Sequence, residues 1–257
     1  MTTQLKVASK VASTVSELDQ VFHLRRRVFV EEVGYIESGD AEPIQLADEF
    51  DSLSTARLIV AYDETEPVAT LRLMLPEQGP AARRHDHAME VHDAWRFEGF
   101  DPGDRYAELA RMCVLRSHRR QGASLAILAL ARRESLAAGV THWVARATME
   151  TDHPEDARLI HAIAQARGHC DVPQRAIALD PSPETGVGLR PFYSEAERKA
   201  GADSIDGLPY PRALNLFAGL GARYAGPPCF LPSWGTYVLP LVLDMCDLSS
   251  AVTELPV

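Results

Sequence analysis

Residues 106–124 read Tyr106-Ala-Glu-Leu-Ala-Arg-Met-Cys-Val-Leu-Arg-Ser-His-Arg-Arg-Gln-Gly-Ala-Ser124, and this stretch decides the fold. Leu109, Met112, Cys113 and Val114 suit a buried strand. Ser117 to Ser124 is polar, basic and glycine-containing. From Leu125 the apolar residues recur with helical spacing (Leu125, Ile127, Leu128, Ala129, Leu130), while Arg132, Arg133 and Glu134 fall on the wet side. A strand that turns sharply into a helix aims free backbone N–H groups and the positive end of the helix dipole at one spot. Gly122 permits close backbone approach, and Arg116, His118, Arg119 and Arg120 add positive charge. The turn is predicted to hold a pyrophosphate or phosphodiester. The competing reading is a solvated helix cap.

Composition bounds the rest. The chain has 257 residues, an ordinary apolar fraction of 46% and a net charge of −10, which argues against general nucleic-acid binding. Its four cysteines (Cys113, Cys170, Cys229, Cys246) are scattered, with neither a disulfide framework nor a zinc pattern, and fit a reducing cytoplasm. No segment has the apolar length of a transmembrane helix, and the start lacks a signal-peptide run.

Along the chain, helical spacing covers Val15 to Val33, with Ser16 and Asp19 placed as a capping pair and Gly34 as terminator. Residues 44–54 read as an acidic loop. Ala56–Asp63 and Pro67–Leu75 form a hairpin joined at Asp63-Glu-Thr-Glu66. Pro76–Gly103 reads as a long polar loop. After the 106–124 unit come a strand over Thr141–Met149 and a helix from Pro154 to Arg167. Residues 150–208 as a whole, rich in Pro, Gly, Asp and Glu, read as an irregular insertion or flap. A short helix over Pro211–Leu220 and strands over Tyr224–Phe230 and Gly235–Leu243 complete one mixed α/β domain spanning residues 1–257.

Arg119-x-x-Gly122-x-Ser124 after a hydrophobic strand resembles the acyl-donor loop of the GNAT superfamily of N-acyltransferases, which cradles the pyrophosphate of coenzyme A or the phosphopantetheine of a carrier protein. Ser124 stands where that loop has Gly or Ala. The resemblance implies a GNAT fold, a mostly antiparallel central sheet flanked by helices with the insertion before the last helix and strands. It narrows toward the N-terminus. Arg25, Phe29 and Tyr35 match the opening motif of acyl-homoserine-lactone synthases and long-chain N-acyl amino acid synthases, with Tyr35 in place of the usual Trp. Asp48-x-x-Asp51, Arg72 in Arg72-Leu-Met-Leu-Pro76 and Glu108-Leu-Ala-Arg111 match three more of their motifs. Leu216-Phe-Ala-Gly-Leu-Gly-Ala-Arg223 followed by Gly226-Pro-Pro resembles ornithine-lipid, hemolysin-like acyltransferases, which also move a fatty acyl group onto an amine.

The resemblance implies an N-acyltransferase that binds no tight cofactor and takes its acyl group from acyl carrier protein or acyl-CoA. The acceptor is the amine of an amino acid or a related small molecule, which attacks the thioester directly. The alternatives are an acyl-homoserine-lactone synthase using S-adenosylmethionine and a silent module that binds acyl thioesters. Such a transfer needs a base for the amine, donors for the oxyanion and a phosphate anchor. Glu108 is the candidate base, held by Arg72 and Arg111, or else a structural ion-pair partner of those arginines. Met112, Cys113 and Val114 are candidate oxyanion and donor contacts if the strand bulges there. Arg119, Gly122, Ala123 and Ser124 are the phosphate contacts. Arg25, Phe29, Tyr35, Asp48 and Asp51 are the acceptor-side residues, and the two aspartates could instead hold Arg25 and Arg72 or lie in a solvated turn. Arg25 lies on an otherwise apolar helix face, which demands a partner. Cys113 reads as a small hydrophobe rather than a nucleophile. His85, His87 and His92 match no standard zinc spacing, and no metal is expected.

Overall fold

The computed structural model describes residues 7–35, 46–77, 89–180 and 185–254. In chain order the elements are β1 (Val7–Val11), α1 (Val15–Arg26), β2 (Ala56–Asp63), β3 (Glu66–Met74), β4 (Trp95–Glu98), β5 (Tyr106–Val114), α2 (Ala123–Ala137), β6 (His142–Thr148), α3 (Pro154–Ala166), β7 (Arg175–Ala178), α4 (Glu195–Asp203), α5 (Arg212–Gly219), β8 (Arg223–Tyr224), β9 (Cys229–Leu231), β10 (Thr236–Asp244) and α6 (Ser250–Thr253). They divide into two compact units, each α/β, with strands flanked by helices. The first comprises residues 1–92, 104–143 and 249–257, the second residues 93–103 and 144–248.

In the first unit β1, β2, β3 and β5 pair antiparallel in that order. The β2–β3 hairpin closes as its sequence predicts, with Asp63 opposite Glu66 across a two-residue turn. Glu64 takes the positive φ (52°) that such turns need. The core combines Ile59 and Val60 of β2, Leu71 and Leu73 of β3, Val21 and Leu24 of α1, and Ile127, Leu128 and Leu130 of α2, all buried.

α1 starts at Val15 as expected but differs in its cap and at its C-terminal end. Its cap is Thr14, which accepts from the Glu17 N–H while the Glu17 carboxylate receives the Thr14 N–H, so the capping box lies two residues before the expected Ser16–Asp19 pair. Ser16 and Asp19 have the wrong phase because the true box leaves Val15 as the first helical residue. After Arg26 the chain widens into a π-helical segment, Arg27–Glu32, closed by the Val33 N–H on the Val28 carbonyl at 3.0 Å. Apolar spacing is blind to such widening, because one extra residue per turn barely moves the pattern over six residues.

The second unit holds β4, which lies inside the stretch expected to be loop and pairs antiparallel with β7. The Trp95-Arg-Phe-Glu98 alternation, with Trp95 and Phe97 buried, was the missed signal. β10 pairs with β8 and β9, so the last strands run as two short pieces against one long one. In the described parts of residues 150–208, α3 falls where a helix is expected, and more regular structure follows it than the composition implies. α3 and α4 are regular helices, and Ser194 with Glu197 forms a capping box on α4. Between them, the irregular chain is held by two buried carboxylates at the start of α3. Asp152 accepts from the N–H groups of Leu189 (2.9 Å) and Arg190 (2.6 Å). Asp156 accepts from those of Phe192 (2.6 Å) and Tyr193 (3.2 Å), from the Thr151 hydroxyl and from the Arg198 guanidinium. No described helix is long and apolar enough to cross a membrane.

Candidate active site

The first unit brings Arg25, Asp48, Asp51, Arg72 and Arg111 together, and Glu90 with them. Arg25 projects from the buried face of α1 and is fully buried, and it grips Asp51 with both guanidinium nitrogens at 2.7 and 3.0 Å. A third bond, 3.1 Å, goes to the Leu46 carbonyl. Arg72 sits in the middle of β3, also with no solvent exposure. It bonds Asp51 at 3.1 Å, Asp48 more tightly, and Glu90 from its other nitrogen. Arg111 of β5 bonds Asp48 at 2.7 Å and Glu90 at 2.9 Å. Asp48 and Asp51 therefore hold the arginines, one of the readings open in the sequence. Their short 3₁₀ turn, Glu49–Ser52, is closed by the Asp51 carboxylate on the Asp48 N–H.

Burial opposes the charge on Asp51, but the hydrogen bonds and charge of Arg25, with Arg72 behind them, outweigh it and keep the carboxyl below the usual aspartate range. A carboxyl depressed in the folded protein adds stability that is present above its unfolded pKa, near 3.9, and is lost as pH falls through the folded value. Asp51→Asn is therefore expected to flatten the acid limb of a melting-temperature profile taken between neutral pH and pH 3. An unchanged acid limb would show that Asp51 is not a major acid-sensitive group.

Glu90 was missed by the sequence reading. It lies in a short 3₁₀ turn, Glu90–Asp93, within the expected loop, and is 6% exposed. The available signal was one acid between Met89 and Val91, both buried: an isolated charge between apolar residues needs a partner.

β5 carries the geometry that joins this cluster to the turn before α2. Arg72 pairs with Ala110 and Thr70 with Cys113, so Leu71 alone faces Arg111 and Met112. That is a bulge, and Arg111 takes a left-handed conformation, φ 54°. Glu108, opposite Met74 on the same strand, is 1% exposed and shares its sheet face with Ala110 and Arg72. Cys113 is buried, and burial pushes its thiol up to about 12, which leaves it protonated and inert at neutral pH.

Downstream, Gly122 caps α2 at φ 89°, with no side-chain cap on the helix, and a Cβ built there meets nothing within 4 Å. The helix starts at Ala123, two residues before the apolar spacing becomes visible. Arg119 turns back into the protein, bonding the Val114 carbonyl at 3.1 Å and Glu32 at 2.8 Å. Glu32 also receives the Arg116 N–H. One carboxylate from the π-helical segment thus fixes the start and the middle of the turn. Phe29, 7% exposed, lies in that same segment, and its carbonyl accepts the Tyr35 N–H at 2.9 Å.

His85 and His87 lie outside the described residues, and among the described residues no group of His, Cys, Asp or Glu could hold a metal ion.

A family model described as an acetyltransferase (GNAT) domain matches residues 24–129, the part that holds the ion cluster and the bulge and reaches into α2. No curated relative matches the chain. Among solved structures, FeeM, an N-acyl amino acid synthase from uncultured soil microbes, aligns over 98% of this chain and 99% of its own, at 9% identity and a TM-score of 0.52. TofI, solved in a ternary complex with an inhibitor and MTA, aligns over 97% of both chains at 14% identity and a TM-score of 0.51. An aminoglycoside 6′-N-acetyltransferase complexed with coenzyme A aligns over 93% of this chain and 96% of its own, at 12% identity and a TM-score of 0.50. At these identities the likeness is one of fold.

Proposed function

We propose, for a chain that carries a GNAT acetyltransferase domain over residues 24–129 and is an acyl-transferring enzyme, that it moves a fatty acyl group from a carrier-protein or coenzyme A thioester onto the amine of an amino acid or related acceptor. The observation that carries this reading is the bulge at Arg111–Met112. It places a distorted backbone between a buried carboxylate, Glu108, and an uncapped glycine turn, Arg119–Ser124.

The chemistry follows from that order along one strand. The α2 N-terminus, with the N–H groups of Ala123 and Ser124 and the open approach at Gly122, receives the donor phosphate. The thioester then lies along β5. Glu108 takes a proton from the acceptor ammonium, directly or through water, so that the amine attacks as a neutral nucleophile. Backbone N–H groups of the Met112–Val114 stretch receive the oxyanion. The tetrahedral adduct collapses as its nitrogen gives up its extra proton and the thiol leaves carrying the proton that Glu108 took from the ammonium. Direct attack is supported by Cys113, whose buried protonated thiol is a poor nucleophile. Arg119, bonded to Glu32, supports the shape of the turn rather than gripping phosphate itself. Arg120, Arg132 and Arg133 are left as the basic surface for an acidic carrier protein.

Gly122→Val tests the donor site. A side chain at φ 89° is strained and enters the space the phosphate needs. Donor affinity is expected to fall tens-fold, about 2 kcal/mol, the worth of charge-assisted hydrogen bonds. Calorimetric titration with coenzyme A, and with a phosphopantetheinylated carrier protein alongside, reads both the loss and the preferred donor. Unchanged affinity for both in a folded variant removes the turn from the donor site.

A further inference from the structure

We infer that Glu90 sets the charge preference of the acceptor site, favouring an amine whose carboxylate is masked or absent over the free amino acid. This rests on the acyltransfer reading above and narrows its acceptor class.

The argument is one of charge matching in a buried place. Three guanidinium groups, Arg25, Arg72 and Arg111, face three carboxylates, Asp51, Asp48 and Glu90. Asp51 bridges Arg25 and Arg72. Asp48 and Glu90 each bridge Arg72 and Arg111. The six charges sum to zero. Glu108, on the same sheet face as Arg72, adds an acid to the neighbourhood. An incoming acceptor therefore meets a site whose arginines are already matched by acids.

The cluster is not uniformly sealed. The side chains of Arg25 and Arg72 have no exposure and that of Asp51 has 4%, whereas Arg111 keeps 15% and Asp48 19%. Its solvent edge is thus the Asp48–Arg111 pair, beside the bulge where the proposed transfer takes place. A free amino acid arriving there brings a carboxylate that Asp48 and Glu90 repel and that must share Arg111 with both of them, since its Nη2 already bonds the two acids. An amino acid amide brings the same ammonium with no such charge. Like-charge juxtaposition in a desolvated site is costly, and charge complementarity governs which partner is rejected.

Glu90 differs from the other members in one respect. Asp48 and Asp51 also build their own turn, so changing either alters the backbone there. Glu90 receives Arg72 on one carboxylate oxygen and Arg111 on the other. Neutralising it releases one positive charge at the solvent edge with little change of shape.

The test uses the full chain and a panel of medium- and long-chain acyl-CoA and acyl carrier protein donors, with thiol release as the signal. Acceptors are offered as pairs, leucine with leucinamide and glutamate with its diamide. Wild type is expected to show kcat/KM about 10-fold or more higher for the amides, carried mainly in KM. In Glu90→Gln the ratio moves by a similar factor toward the free acids, and Glu90→Asp restores the wild-type order. The wild-type ratio alone tests the first half should Glu90→Gln fail to fold. A wild type that turns over but favours the free acids overturns the assignment and leaves acyltransfer standing. So does a folded Glu90→Gln with an unchanged ratio. No thiol release from wild type with any pair overturns both.

Discussion

Arg72→Leu is expected to lose about 3–5 kcal/mol of folding stability, the cost of removing one partner from a buried ion-pair cluster. The loss follows from what stays behind. Asp48, Asp51 and Glu90 all bond this one guanidinium, and Arg72 is fully buried. Without it, three carboxylates share Arg25 and Arg111, and the site must take up protons, admit water or unfold. Typical domains have only about 5–15 kcal/mol in hand, so the variant will be partly unfolded near body temperature or insoluble. Urea unfolding followed by circular dichroism measures this directly. Arg27→Ala serves as the contrast, since its pair with Glu66 is half exposed on both sides and screened by water. If Arg72→Leu melts no earlier than Arg27→Ala, the cluster is not a structural centre.

Glu108→Gln is expected to lower the rate at saturating substrates about 100-fold or more, the usual worth of a general base. The substitution keeps volume and hydrogen-bonding shape while removing the basic oxygen. Because Glu108 lies on a central strand and is 1% exposed, its loss could also act through packing. Two readouts separate the cases. A catalytic role lowers kcat, removes the acid limb of the kcat/KM profile and leaves the melting temperature within a few degrees. A structural role lowers the melting temperature with kcat largely kept, and that outcome would refute the base assignment.

Much of this was legible in the sequence because it depends on local rules. The β2–β3 hairpin, β5 and α2 follow from apolar alternation, a two-residue acidic turn and a glycine before a helical run. Arg25 was legible as a buried charge needing an acid, since a cation at a position where the helix face is apolar has few other outcomes. What escaped has non-local causes. Glu90 is buried by partners at Arg72 and Arg111, 18 and 21 positions away, and nothing next to it announces them. β4 exists because β7, about 80 residues later, supplies its ladder. Arg119 looked like a phosphate ligand because its partner, Glu32, comes 87 positions earlier. The charge of a residue was readable; the question of which acid or phosphate would claim it was not.

The two carboxylates at the head of α3 have a consequence for how mutations in this part of the chain will propagate. Residues 189–193 take their path from Asp152 and Asp156, through four backbone N–H groups that reach back over a distance of 36 to 38 positions. The dependence is mutual, since the Asp152 N–H and Thr151 hydroxyl donate to the Arg190 carbonyl, but it is unequal. α3 has its own proline start and helical bonds, whereas the later segment has no ladder or helix of its own to fall back on. Within it, the Arg190 side chain also bonds the Trp234 and Gly235 carbonyls and the Tyr193 hydroxyl the Pro209 carbonyl. A change that frays the first turn of α3 is felt some thirty-five residues downstream, in a segment it does not adjoin in sequence.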